Sequence, residues 1–197
     1  MLAVSQLAAA RGDRTLFSGV NFTLAAGELL EVVGANGSGK TTLLRVLCGL
    51  MQPVEGEVRW NGENIRTLHE DFHSDLAYVG HLNGVKDDLT PLENVAFARA
   101  LSAEPSTAAT AAQALSALGL TKQQQRLPSK VLSQGQKRRV ALARALFSRA
   151  KLWIFDEPFA ALDVAAVGLV AERMSTHARA GGVLVLSSHQ EVTFDVV

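Results

Sequence analysis

The sequence predicts an α/β domain built around a mostly parallel sheet, and three observations predict it. Short apolar, β-rich runs recur at 29–33, 76–79, 152–155 and 183–186, each leading into polar or glycine-containing residues; strands buried on both faces read this way. A glycine-rich loop at 34–41 joins the first run to a segment with leucines at helical spacing. An acidic pair, Asp156-Glu157, ends the third run, at the strand end where open α/β sheets collect ligands.

The remaining elements follow in chain order. Segments near 2–7 and 16–24 alternate less cleanly and, with 57–60, are expected to form an antiparallel edge or a second small sheet. The helix opened at 41–50 has Gly49 placed to end it. From Pro91 to Leu120 the pattern is helical and alanine-rich, and Thr90-Pro91-Leu92-Glu93 supplies a threonine cap, a proline at the first helical position and a glutamate that reaches back. The polar, proline-containing stretch 121–130 reads as a linker. The expected organisation is one domain over 1–197 with a helical subdomain at about 86–148.

Composition narrows the class. At 197 residues, 48% hydrophobic and 19% charged, the chain has the balance of a globular domain. Nineteen basic and nineteen acidic residues cancel, so overall charge draws it neither to nucleic acid nor to an anionic membrane. The longest apolar runs, such as 164–171, fall well short of the roughly 20 residues that span a bilayer, and the N-terminus has no basic segment ahead of its apolar stretch, which argues against a secretory signal. Cys48 has no partner or metal spacing and is expected in the core of a protein kept reduced.

The loop Gly34-Ala35-Asn36-Gly37-Ser38-Gly39-Lys40-Thr41 is a phosphate cradle by spacing and by context. Polyphosphate must lie against successive backbone N–H groups, and side chains at Gly34, Gly37 and Gly39 would block it or forbid the backbone angles. The helix N-terminus adds positive potential. Lys40 then neutralises the β and γ phosphates, and the Thr41 hydroxyl, followed by Thr42, stands where Mg²⁺ binds. The fold class becomes a P-loop NTPase core with an antiparallel β edge subdomain and an inserted α-helical subdomain. After the buried strand, Asp156 is expected to hold the metal through its water shell and Glu157 to accept a proton from the attacking water.

Leu132-Ser133-Gln134-Gly135-Gln136 is a second helix start: Ser133 caps it, Gln136 closes a capping box, and Gly135 leaves backbone bare for an anion. One small domain cannot easily bring two helix N-termini to one γ phosphate, whereas two domains arranged head to tail can. Here the chain resembles the ABC ATPases over nearly its whole length, with Gln134 where a second glycine is commoner. The resemblance implies that Ala161-Leu162-Asp163 is their D-loop, that His189 is their switch histidine at the γ phosphate, and that ATP and Mg²⁺ lie between the loop of one copy and the Ser133 helix start of another in a homodimer.

Two positions depart from the family pattern. The adenine-stacking aromatic is missing, and Arg11 stands near its place; a guanidinium plane also stacks on a base. The metal-contacting glutamine after strand 76–79 is replaced by His81, expected to act through water or a partner protein because Mg²⁺ prefers oxygen ligands. More narrowly, 80–95 and the run from Leu132 resemble the ATP-binding subunits of bacterial haem exporters, the cytochrome c maturation ATPases. That resemblance implies a peripheral protein at the cytoplasmic face of the inner membrane, integral membrane partner subunits and no nucleic acid. No direct haem binding is expected, since there is no C-x-x-C-H run and His69, His73 and His177 read as surface residues. The ATPase of another small exporter fits every motif equally, and a soluble non-transport relative fits most of them; a guanine-specific GTPase would need an N-K-x-D run, which is missing.

Overall fold

A computed structural model describes residues 1–101, 107–189 and 192–194, and the backbone alone at 69 and 108. Two four-stranded sheets organise the described residues. β3 (Leu29–Val32), β8 (Val183–Ser187), β7 (Leu152–Asp156) and β6 (Leu76–Val79) form one sheet in that spatial order, with every neighbouring pair parallel. These are the four apolar runs of the sequence. β1 (Leu2–Arg11), β2 (Arg14–Leu24), β4 (Glu55–Trp60) and β5 (Glu63–Asn64) form the other sheet, which is antiparallel in the order β2-β1-β4-β5.

The unbroken apolar character of β7 and β8 has a direct cause. Leu152, Ile154, Val183 and Val185 point into a core shared with β1, β4 and helix α1 (Lys40–Leu47). Their alternates Trp153, Phe155, Leu184 and Leu186 point into a second core built with α3 (Pro91–Leu101), α4 (Ala108–Ala117), α5 (Gln134–Leu146) and α6 (Val164–Arg179). Because side chains alternate along a strand, burial on both faces leaves no polar position until the strands end at Asp156 and Ser187. Cys48 lies in the first core, fully buried, and burial pushes its thiol well above the ordinary value, as expected of an inert side chain.

Helix ends obey local chemistry. Gly49, at φ +73°, follows α1, and Gly49 N–H to Val46 O (3.0 Å) with Leu50 N–H to Arg45 O (2.9 Å) closes a Schellman end. At α3 the Thr90 N–H donates to Glu93 Oε2 (2.8 Å) and the Glu93 N–H to Thr90 Oγ1 (3.2 Å), the expected reciprocal cap. Helix α2 (Ile65–Ser74), capped by Asn64, was not read from the sequence.

The stretch 121–130 is not a loose linker. It contains two 3₁₀ turns, Gln124–Arg126 and Ser129–Val131, and buried Gln125 donates to Ser116 Oγ and to Leu120 O, both at 2.9 Å. Polar residues enter a core when their hydrogen bonds are met there. His177 also departs from the surface position expected of it: it is half-buried and stacks on Trp153, with ring centroids 3.8 Å apart and planes within 3°. His73 is exposed as expected, and the His69 side chain lies outside the described residues. Among the described residues no helix is long and apolar enough to cross a membrane.

Candidate active site

Parallel strands deliver their carboxyl ends to one edge, and that geometry assembles the site. Val32 pairs with Ser187 and Ser187 with Asp156, so the glycine loop after β3, the serine pair ending β8 and the acids after β7 are set in one row. His81 arrives one residue beyond Gly80 at the end of β6.

The loop is folded as a phosphate cradle requires. Gly34, Gly37 and Gly39 have φ of +154°, +79° and +101°, a region L side chains rarely adopt. A Cβ on Gly39 would also press on Leu16 (3.2 Å) and Phe17 (3.3 Å), and one on Gly34 on Ser38 Oγ (2.8 Å). At Gly37 the space is open, so backbone angle alone explains that glycine. The buried Lys40 ammonium donates to Gly34 O (2.7 Å) and Ala35 O (3.2 Å), which folds it back over the loop.

Behind the loop, Thr41 Oγ1 donates to Asp156 Oδ2 (2.7 Å) and Ser187 Oγ donates to Asp156 Oδ1 (2.7 Å). Asp156 is only 1% exposed, and both its carboxylate oxygens accept a hydroxyl. Two hard oxygens so close at the mouth of a phosphate loop suit Mg²⁺. His81 lines the same cleft as Thr41, and no group of three or more His, Cys, Asp or Glu side chains able to hold a metal occurs among the described residues.

Glu157 is a non-glycine residue at φ +53°, a conformation costing about 1–2 kcal/mol. Its N–H donates to both O and Oγ of Ser187, each at 3.1 Å, which offsets that strain. The left-handed turn swings the carboxylate out of the strand, where Glu157 Oε1 lies 2.9 Å from His189 Nε2. A cleft of about 600 Å³ is lined by Asn36, Lys40, Thr41, Thr42, His81 and Glu157, with Arg11 and Leu16 at its β1–β2 wall.

The other sequence-predicted residues gather elsewhere. Ser133 and Gln136 form the capping box, with Gln136 N–H to Ser133 Oγ at 3.2 Å and Ser133 N–H to Gln136 Oε1 at 2.9 Å. Together with Gly135 and Asp163 they line a separate cleft of about 430 Å³ that shares no residue with the first. Asp163 caps α6 through the Ala166 N–H (2.8 Å). That bond, and then the ion pair with Arg139, hold its carboxyl below the ordinary value.

Sequence reading missed two participants, Ser187 and Arg138. Ser187 is visible only through strand register. Lys137, Arg138 and Arg139 look like one solvated basic run, yet Lys137 pairs with Asp87 (2.6 Å), Arg139 pairs with Asp163, and Arg138 is 4% exposed with its guanidinium on the backbone of the acid pair. The faintest available signal was helical spacing, which places Arg138 on the same side of α5 as buried Ala141, Leu142 and Ala145.

Comparison with known proteins agrees with this geometry. Residues 17–160 match the family model described as ABC transporter. The chain is 50% identical over 192 residues to a "Cytochrome c biogenesis ATP-binding export protein" of Dechloromonas aromatica, covering 98% of this chain and 94% of that protein. The namesake proteins of Nitrosospira multiformis and Escherichia coli O157:H7 are 53% and 45% identical, covering 92% and 96% of this chain and 88% and 89% of theirs. Among solved structures, the dimeric post-hydrolysis state of the ATP-binding cassette MJ0796, bound to ADP and Pi, superposes with a TM-score of 0.86 at 25% identity, covering 96% of this chain and 88% of that one. The strand-end cradle, the acid pair at its mouth and the second capped helix start thus sit in a chain that matches these relatives over more than nine-tenths of its length, and the chain belongs to the ABC transporter family, among its cytochrome c biogenesis ATP-binding export proteins.

Proposed function

We propose that this chain is the ATP-hydrolysing subunit of a membrane export complex serving c-type cytochrome biogenesis, its hydrolysis driving haem export or release of a haem-loaded chaperone. The observation that carries the chemistry is the pairing of Thr41 with Asp156 beneath the loop and of His189 with Glu157 at its mouth, 2.7 Å and 2.9 Å apart. Near-full-length identity to the named export proteins supports the biological role.

The residues divide the work. Backbone N–H groups from Gly34 to Thr42 receive the phosphates, and Arg11 stacks on the base. Lys40 exchanges its two carbonyl acceptors for the β and γ phosphate oxygens. Thr41 and Asp156 would hold Mg²⁺, which would supply neutralisation of phosphate charge; His81 would act there through water or a partner. Glu157 takes a proton from water as the water oxygen attacks the γ phosphorus and the bond to the β-phosphate oxygen breaks, releasing ADP and phosphate. His189 orients Glu157 and contacts the γ phosphate.

The separate Ser133–Asp163 cleft supports completion of the site by a second copy, Ser133, Gly135, Gln136 and Asp163 of one chain covering the nucleotide held by its twin; a structurally similar bacterial ABC transporter cassette is dimeric. The unit is a single ATP-binding domain over 1–197 with its helical subdomain at about 86–148, peripheral at the cytoplasmic face of the bacterial inner membrane, docked on integral membrane subunits and contacting neither nucleic acid nor haem directly. Affinity purification of the full chain from detergent-solubilised membranes tests the role. Haem-handling membrane subunits are expected to copurify in amounts comparable to the chain, and a permease for another solute in their place would overturn the haem assignment.

A further inference from the structure

Arg138 is buried, yet it belongs to neither the phosphate loop nor the capped helix start. One terminal nitrogen donates to two consecutive carbonyls, Asp156 O and Glu157 O, each at 2.7 Å. The other donates to Gly80 O (2.8 Å) and to Asn83 Oδ1 (3.2 Å), on either side of His81. Consecutive carbonyls of an extended strand point to opposite sides; the left-handed turn at Glu157 brings these two to the same side, where a single nitrogen reaches both. The guanidinium stays inside although its Nε is buried without an acceptor, so its site is built around the four bonds that the planar fork makes.

We propose that Arg138 is a positioning residue for hydrolysis: it fixes the strained Glu157 backbone, and through it the carboxylate, relative to the water and the γ phosphate, and it ties that carboxylate to α5 and to the loop carrying His81. The inference rests on the reading of Glu157 as general base. Nothing in Arg138 touches the nucleotide cleft, so it acts on the rate and not on ATP binding. A lysine at 138 keeps the charge but cannot span carbonyls on both sides, so Glu157 loses its fixed geometry.

The test is a double-mutant cycle on the full chain, measuring kcat and KM for ATP in wild type, Arg138→Lys, Arg138→Met, Glu157→Gln and the Arg138→Lys/Glu157→Gln pair, with thermal unfolding alongside. Arg138→Lys is expected to lower kcat about tenfold to a hundredfold, as misplacement of a reacting group does, with KM for ATP essentially unchanged. In the Glu157→Gln background the same change is expected to leave the residual rate where it was, because there is no base left to position. Arg138→Met should lose more than Arg138→Lys; if it does not fold, the lysine cycle decides alone. An unchanged kcat in Arg138→Lys, a parallel rise in KM, an equal loss in both backgrounds or loss of the fold in both variants overturns the proposal. A wild type without ATPase activity, or a Glu157→Gln variant as fast as wild type, overturns the underlying reading instead.

Discussion

A Cβ built on Gly135 would stand 2.5 Å from the carbonyl oxygen of Ala161, so the first turn of α5 rests directly on the turn leading to Asp163. Gly135 is therefore required by a neighbouring backbone within the same chain, in addition to any anion that approaches it. Ala161 has little freedom to retreat, being itself at φ +62° between Phe159 and the α6 cap. Gly135→Ala is expected to destabilise the protein by about 1–3 kcal/mol through overpacking and to lower ATPase activity with it. Urea denaturation measures the first effect, and an unchanged midpoint would rule out the contact.

Lys40→Ala removes the cation from the cradle. Loss on the order of a hundredfold or more in ATP turnover is expected, comparable to removing a transition-state donor. The two bonds to Gly34 O and Ala35 O go as well, so the nucleotide-free variant should also melt slightly lower. Steady-state ATP hydrolysis at wild-type rate would refute the role given to this lysine.

Glu157→Gln keeps the hydrogen-bonding shape of the side chain and removes its basicity. Turnover should become slow while ATP and Mg²⁺ remain bound, and the chain should then sediment as a dimer. A monomer under those conditions would count against the two-copy arrangement. Ser133 and Lys40 line different clefts of one chain, and in the proposed two-copy arrangement Ser133 of one chain and Lys40 of its twin reach one nucleotide.

His177 gives a pH prediction with a definite sign. Burial disfavours its charged form and holds its pKa below the ordinary 6.5. The unfolded chain therefore takes up a proton at a pH where the folded chain does not, so stability is present above that value and is lost as pH falls through and below it. Comparing chemical denaturation at about pH 7.5 and about pH 5.5, wild type should lose more stability than His177→Gln, which cannot titrate. Equal losses would show that the ring stacked on Trp153 accepts its charge freely.

Much of the catalytic edge was legible in the primary structure because it is built from contiguous residues. Local steric and electrostatic rules fix the angles at Gly34, Gly37 and Gly39, the caps at Thr90 and Ser133 and the end of α1 at Gly49, and each acts within a few residues. The apolar runs of β7 and β8 declared strands covered on both faces for the same reason: burial of alternate side chains leaves its mark in the run itself.

What could not be read was set by partners far along the chain. Ser187 reaches Asp156 across 31 positions, Arg138 reaches Gly80 across 58, and Thr41 reaches Asp156 across 115. The three basic residues at 137–139 look alike in sequence and meet three different environments, because helical rotation turns one inward and two outward. His177 appeared polar and superficial until Trp153 covered it. The amino-acid sequence by itself determined the fold class, the cradle and the acid pair, since their physics is local. Tertiary structure alone decided which arginine supports Glu157, why Gly135 is glycine, and that cradle and capped helix open into separate clefts, since each depends on distant segments meeting at hydrogen-bond or van der Waals range.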